Sequence, residues 1–145
     1  MLSEKVKQYL LADGHALPQE PLKQQYRDVL LDLSIPIESD FAEFCLSTIG
    51  PTFQGRLYEL YHVCWFSIYS SYDLDLDRTW NVLHLPKQFI PLDGFEAEGG
   101  FFYDRQTSAV FQLELGETLF AFLRGNLQAQ WQSFNEFLEW YFELT

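Results

Sequence analysis

Apolar positions recur at helical spacing up to about residue 48, drift toward alternation between Phe53 and Leu115, and return to helical spacing after Ser133. In the first stretch Ser3 reads as an N-cap. Val6, Tyr9, Leu10 and Asp13 follow it, and Gly14 stops a first helix predicted over residues 3–13. After the loop around His15 to Pro18, Pro21 takes the first helical position of a second helix, whose single stripe is Leu22, Tyr26, Val29, Leu30 and Leu33. Ser34-Ile35-Pro36 breaks that helix. Ile37, Phe41, Phe44, Cys45 and Thr48 mark the inner face of a third, with Asp40 and Glu43 at capping-box spacing and Gly50-Pro51 at its end.

The alternating stretch predicts the sheet. Arg56–Tyr61 and Val63–Tyr69 read as aromatic-rich strands, Phe89–Leu92 as a further strand, and Thr79–Pro86 fits a short helix and a strand equally. Phe101–Asp104 and Ala109–Leu113, joined by the turn-prone Arg105-Gln106-Thr107-Ser108, read as an antiparallel hairpin that Gly99-Gly100 admits by unusual dihedrals or a close backbone approach. The stretch Phe89–Leu115 is thus a β-meander around which the chain is organised. Alternation puts Ala109, Phe111, Leu113 and Leu115 on a core face, and Val110, Gln112 and Glu114 on a half-wet one. Thr118–Leu123 reads as an edge strand and Gly125-Asn126 as a turn. Ser133-Phe134-Asn135-Glu136 is a capping box that opens a closing helix to about Leu144, with Phe134, Phe137, Leu138 and Tyr141 inward. No repeat, linker or low-complexity segment divides the chain. The expected fold is α+β, one domain over residues 1–145, with a central antiparallel or mixed sheet packed by N-terminal and C-terminal helices.

Composition removes several classes. With 145 residues, 48% apolar and 18% aromatic, the chain carries ample core and is not disordered. Its formal charge of −12 is uneven: residues 1–37 hold five acids and four bases, residues 38–145 sixteen acids and five bases. Such a field repels nucleic acid and anionic lipid and steers cationic proteins inward. Cys45 and Cys64 lack CxxC spacing, no signal segment opens the chain, and no apolar run approaches the ~20 residues of a membrane span. A reduced cytoplasmic protein with two core thiols is expected.

Three stretches, in fixed order, together resemble the SUKH superfamily. Ile35-Pro36-Ile37-Glu38-Ser39-Asp40-Phe41-Ala42-Glu43-Phe44 is similar to its proline-led helix. Glu98-Gly99-Gly100-Phe101-Phe102-Tyr103-Asp104, followed by Ala109-Val110-Phe111, is similar to its glycine-led strand and the next one. Ser133-Phe134-Asn135-Glu136-Phe137-Leu138 resembles its closing helix. The likeness covers roughly residues 22 to 144. It implies helices packed on a mixed or antiparallel sheet. Most bacterial members of this group are immunity proteins that neutralise toxins of contact-dependent growth inhibition and other polymorphic systems, many of them nucleases or deaminases. Others regulate cell-wall synthesis in eukaryotes.

Candidate chemistry is sparse. Asp73, Asp75 and Asp77 would share one face of a strand or form an acidic rim in a loop. They open like a calcium loop, but Arg78 and His84 stand where the glycine and the last glutamate should be. Glu96 and Glu98 bracket Ala97 and would share a strand face. His15, His62 and His84 lack ligand spacing, and no nucleophile elbow, P-loop or GxGxxG is present. No catalysis, metal or cofactor is expected. The reading is an immunity protein that occludes a cognate basic toxin domain, a nuclease. Asp73, Asp75, Asp77, Glu96, Glu98 and Asp104 would steer that partner, and Tyr69, Tyr72 and Trp80 would anchor it. The rival is a regulatory module that docks on an endogenous partner.

Overall fold

A computed structural model of the chain describes residues 1–14 and 17–144. Its most locally determined parts are three serine-capped helices. Ser3, Ser39 and Ser133 each lie in extended backbone and accept an amide from the first turn of α1 (Glu4–Ala12), α3 (Asp40–Leu46) and α7 (Phe134–Tyr141) respectively. The cap of α3 is therefore Ser39, which leaves Asp40 and Glu43 free for longer reach. Asp40 Oδ2 accepts the amide of Asn135 at 2.9 Å and Glu43 Oε1 that of Leu2 at 3.0 Å. These carboxylates join the starts of three helices. Between α1 and α3, the uncapped α2 (Leu22–Asp32) buries Tyr26 and Leu30. His15 lies outside the described residues.

The meander forms as predicted. β3 (Phe89–Pro91), β4 (Gly99–Asp104) and β5 (Val110–Glu114) make one antiparallel sheet in sequence order, with Ile90 opposite Tyr103 and Phe102 opposite Phe111. The face of β5 expected to be half wet is so only toward its end, with Val110 buried, Gln112 half-buried and Glu114 exposed, while all six residues of β4 are buried. Phe101 and Tyr103 face the main core with Ile90, Val110 and α7, whereas Phe102, Phe89 and Leu113 face a second core with Leu83, Leu85 and Leu119. Leu115, expected inside, is 47% exposed just beyond the end of β5. The free edge of β5 is covered: Val110 bridges Trp131, and the Gln130 amide both accepts from and donates to the Gln112 backbone.

Three segments expected as strands are otherwise. Of Arg56–Tyr61 only β2 (Glu59–Tyr61) is extended, paired antiparallel with β1 (Thr52–Gln54). Val63–Tyr69 is helix α4, capped by His62 Nδ1, which accepts the Trp65 amide at 3.2 Å. Thr118–Leu123 lies in helix α6 (Glu117–Leu123), whose Leu119 closes the second core. The acidic run is also helical. α5 (Tyr72–Asp77) passes directly into a π-helical turn (Arg78–Val82) with Tyr72 and Thr79 inward, so the carboxylates do not alternate across a pleat. Aromatic and β-branched density marks a well-packed surface, and here helices provide it. The result is an α+β fold with an antiparallel sheet clasped by helices on both faces.

Candidate partner-binding site

Arg78 ties the acidic run of α5 to the loop that carries Glu96 and Glu98. Its Nη1 donates to Asp75 Oδ1 at 3.1 Å and to the Gly94 carbonyl at 3.2 Å, which fastens α5 to the β3–β4 loop. Asp75 is half-buried, while Asp73, Asp77, Glu96 and Glu98 are exposed. Between the stretches stands Tyr61. Burial, and then the charges of Asp75, Asp93 and Glu96, push its hydroxyl up to about 12 against the opposing pull of Arg78.

Three predicted site residues are occupied elsewhere. Asp104 is buried at the β4–β5 turn, where its Oδ1 accepts the Gln106 amide at 2.8 Å and the Gln88 side-chain amide at 3.1 Å, so it steers nothing. Tyr72 is buried and its hydroxyl donates to the Pro91 carbonyl at 2.7 Å, so it is a core strut and no anchor. Trp80 is half-buried. Its Nε1 donates to Phe89 at 2.7 Å, and its ring already carries Lys87 and Arg105 at 5.7 and 5.8 Å. Of the three predicted aromatic anchors, Tyr69 alone is open, at 55% exposure. It ends a ladder of rings that sequence reading missed: Tyr69 to Trp65 at 5.3 Å, Trp65 to Phe66 at 5.4 Å, and Phe66 stacked on Tyr61 at 3.7 Å. The ladder therefore runs from solvent to the meeting point of the carboxylates.

At its inner end lies a cleft of about 230 Å³, walled by Tyr58, Glu59 and Tyr61 on one side and by Asp93 to Ala97 on the other. Asp93 organises it. The Oδ1 of Asp93 accepts the Phe95 amide at 3.0 Å and its Oδ2 the Phe101 amide at 2.8 Å, an arrangement open only because a Cβ on Gly100 would collide with that carboxylate. The side chain is 3% exposed. Burial pushes its pKa up to about 7, against the lowering by the two amides and Arg78. The Asp93-Gly94 pair after a strand was the available sequence signal, since Asp in that setting bonds the amide two residues on. Tyr58, Phe95 and Glu98, all at this cleft or its rim, hold φ of 57°, 55° and 59°. Left-handed backbone costs a non-glycine residue roughly 1–2 kcal/mol, and such strain gathers at working surfaces.

Chemically this is a place for cations. Both Asp93 oxygens are engaged by loop amides, so it is not a free base, and phenol rings beside Glu59 and Glu96 offer electron-rich faces and negative charge. The donor cluster of Cys45, His62 and Cys64, with ligand atoms within 4.8 Å of one another, has the residue types of a metal site. Its imidazole is fully committed. Nε2 lies 3.0 and 3.1 Å from the carbonyls of Cys45 and Thr48, and so carries the proton, while Nδ1 caps α4. No ring lone pair is left for a metal, and the helical Asp73–Asp77 run lacks the shape of a calcium loop. We expect EDTA to leave the melting temperature unchanged; a fall of several degrees on chelation would show a structural ion.

Comparison of the chain with protein-family models, with curated proteins and with solved structures found no match. The three stretches that resemble SUKH motifs pack on one another in the main core. Phe41 stacks on Tyr103 at 4.5 Å and meets Phe134 at 4.8 Å, and Phe101 meets Phe137 at 4.7 Å. They are core residues, so they bear on how the chain folds and not on what the cleft holds. Among the described residues no helix is long and apolar enough to cross a membrane.

Proposed function

We propose that the chain is an immunity protein of the SUKH type, which captures a basic toxin domain, a nuclease, in the cytoplasm and blocks it by occlusion. The observation that carries this reading is the juxtaposition of the α5 carboxylates, the loop carboxylates and an aromatic ladder on one chain of charge −12. A toxin that grips nucleic acid must present a positive surface, and an acidic face with aromatic anchors competes for that same surface. No chemistry by this chain is required.

The direct test is co-expression and pull-down with the C-terminal domain encoded by the neighbouring gene. Protection and a stoichiometric complex are expected; a toxic neighbour that this chain neither binds nor neutralises would end the proposal. Association should exceed the ~10^5–10^6 M⁻¹s⁻¹ of an unsteered pair and fall steeply with salt, with dissociation less affected. Because Asp75 holds Arg78 and Asp104 is buried, the informative variants are Asp73→Asn with Asp77→Asn, and Glu96→Gln with Glu98→Gln. Either pair should slow association and flatten its salt slope without loss of fold, since solvated carboxylates contribute little to stability. Wild-type rates for both pairs at low salt would reduce the acidity to a solubility device.

A further inference from the structure

We infer that the cleft between β2 and the β3–β4 loop is a receptor for a single arginine side chain of the partner protein. The inference deepens the proposed function and relies on it only for which protein carries the arginine. Size is the first argument. At about 230 Å³ the cleft lies below the ~300–1,000 Å³ of small-molecule and cofactor pockets, so it suits one side chain. Charge is the second. Glu59 and Glu96 line it beside the buried Asp93, and the nearby cation, Arg78, is held through Nη1 by Asp75 and the Gly94 carbonyl, with its Nε and Nη2 unpaired, while it packs over the Phe95 ring at 5.7 Å. Two exposed carboxylates outweigh that one ion-paired cation, which disfavours anions there. The walls are the third, because the Tyr58 and Tyr61 rings line it, Tyr61 with one face already stacked on Phe66. A planar guanidinium both packs flat against an aromatic ring and forks to a carboxylate, whereas a lysine ammonium is a compact point charge with neither geometry.

The floor supplies an independent handle. A Cβ on Gly94 would stand 2.8 Å from the Tyr61 hydroxyl and 3.3 Å from Glu96 Cγ, so Gly94→Ala fills the cleft without altering charge. Glu96 is exposed, and Glu96→Gln removes one wall charge with no risk to the core. The aromatic ladder leads from the cleft to Tyr69, so an arginine seated here would lie at the edge of a wider protein contact.

The experiment is an amide NMR titration of the whole protein with N-acetyl-arginine methylamide, against the neutral isostere N-acetyl-citrulline methylamide. Saturable shifts are expected at Tyr61, Gly94, Phe95 and Glu96 with a Kd of about 1–10 mM, the range open to one side chain. Citrulline should give none at equal concentration. Gly94→Ala and Glu96→Gln should each weaken arginine roughly tenfold or more; should Gly94→Ala fail to fold, Glu96→Gln decides alone. Absence of shifts, equal binding of citrulline, or shifts spread over every exposed carboxylate and indifferent to Glu96→Gln would each overturn the inference. A protein that captures the toxin domain but not arginine keeps its proposed function and loses this site. One that binds arginine but no toxin domain does the reverse.

Discussion

Asp93→Asn should convert a nearly flat profile of stability against pH into one that climbs by about 3 kcal/mol between pH 4 and 6.5. The reason is a pair of buried groups whose titrations oppose each other. Burial lowers His62 from 6.5 to about 4, so the folded state holds a neutral ring. Its contribution is complete above pH 6.5 and is lost as pH falls through 4. Burial raises Asp93 from 3.8 to about 7, so its contribution is complete below pH 3.8 and is lost as pH rises through 7. Between pH 4 and 6.5 each changes stability by about 1.4 kcal/mol per pH unit with opposite sign, and the wild type shows little slope. Asparagine removes one side of the balance. It also leaves an NH₂ group facing the Phe95 or Phe101 amide, a fixed cost of about 1–3 kcal/mol that moves the whole curve without tilting it. Urea unfolding at half-unit pH steps reads the slope directly, and parallel curves for variant and wild type would refute the assignment.

Phe137→Ala should cost about 3–5 kcal/mol, a large share of the ~5–15 kcal/mol that holds a domain together. The ring is fully buried and touches the rings of Phe101 at 4.7 Å, Trp131 at 5.2 Å and Tyr141 at 5.6 Å. Rigid aromatic neighbours cannot collapse into the space left behind, which places the cost toward the upper part of that range. Two distant supports depend on the same ring. Trp131 covers the edge of β5, and the Tyr141 hydroxyl lies between the carbonyls of Phe53 and Tyr58 and accepts the Leu60 amide, tying β1 and β2 to α7. A drop in melting temperature of roughly 10 °C or more is expected. Phe120→Ala, at a ring 56% exposed on α6, should stay within about 0.5 kcal/mol. If Phe137→Ala melted with the wild type, α7 would not be packed where the structure has it.

What sequence alone determined here is what short-range chemistry determines. The helices capped by Ser3 and Ser133 were legible because a side-chain oxygen and an amide three residues on make the cap whatever else the chain does, whereas α3 was expected to start at Asp40 and is capped one residue earlier, by Ser39. The hairpin from Gly99 to Glu114 was legible because glycines, alternation and a polar turn agree on one register. The inward set of α7 followed from its spacing alone. α4, α5 and α6 were not legible, since six or seven residues span at most two turns and strand preference in aromatic residues reports packing, which helices satisfy as well. The cleft belongs wholly to the tertiary structure. Asp93 and Tyr61 stand on separate elements, joined where the Tyr61 amide reaches the Leu92 carbonyl at 2.8 Å. Whether a given carboxylate stays in solvent, like Glu96, or is buried, like Asp104, depends on what lies opposite it after folding. That is a property of distant chain segments, and no local pattern encodes it.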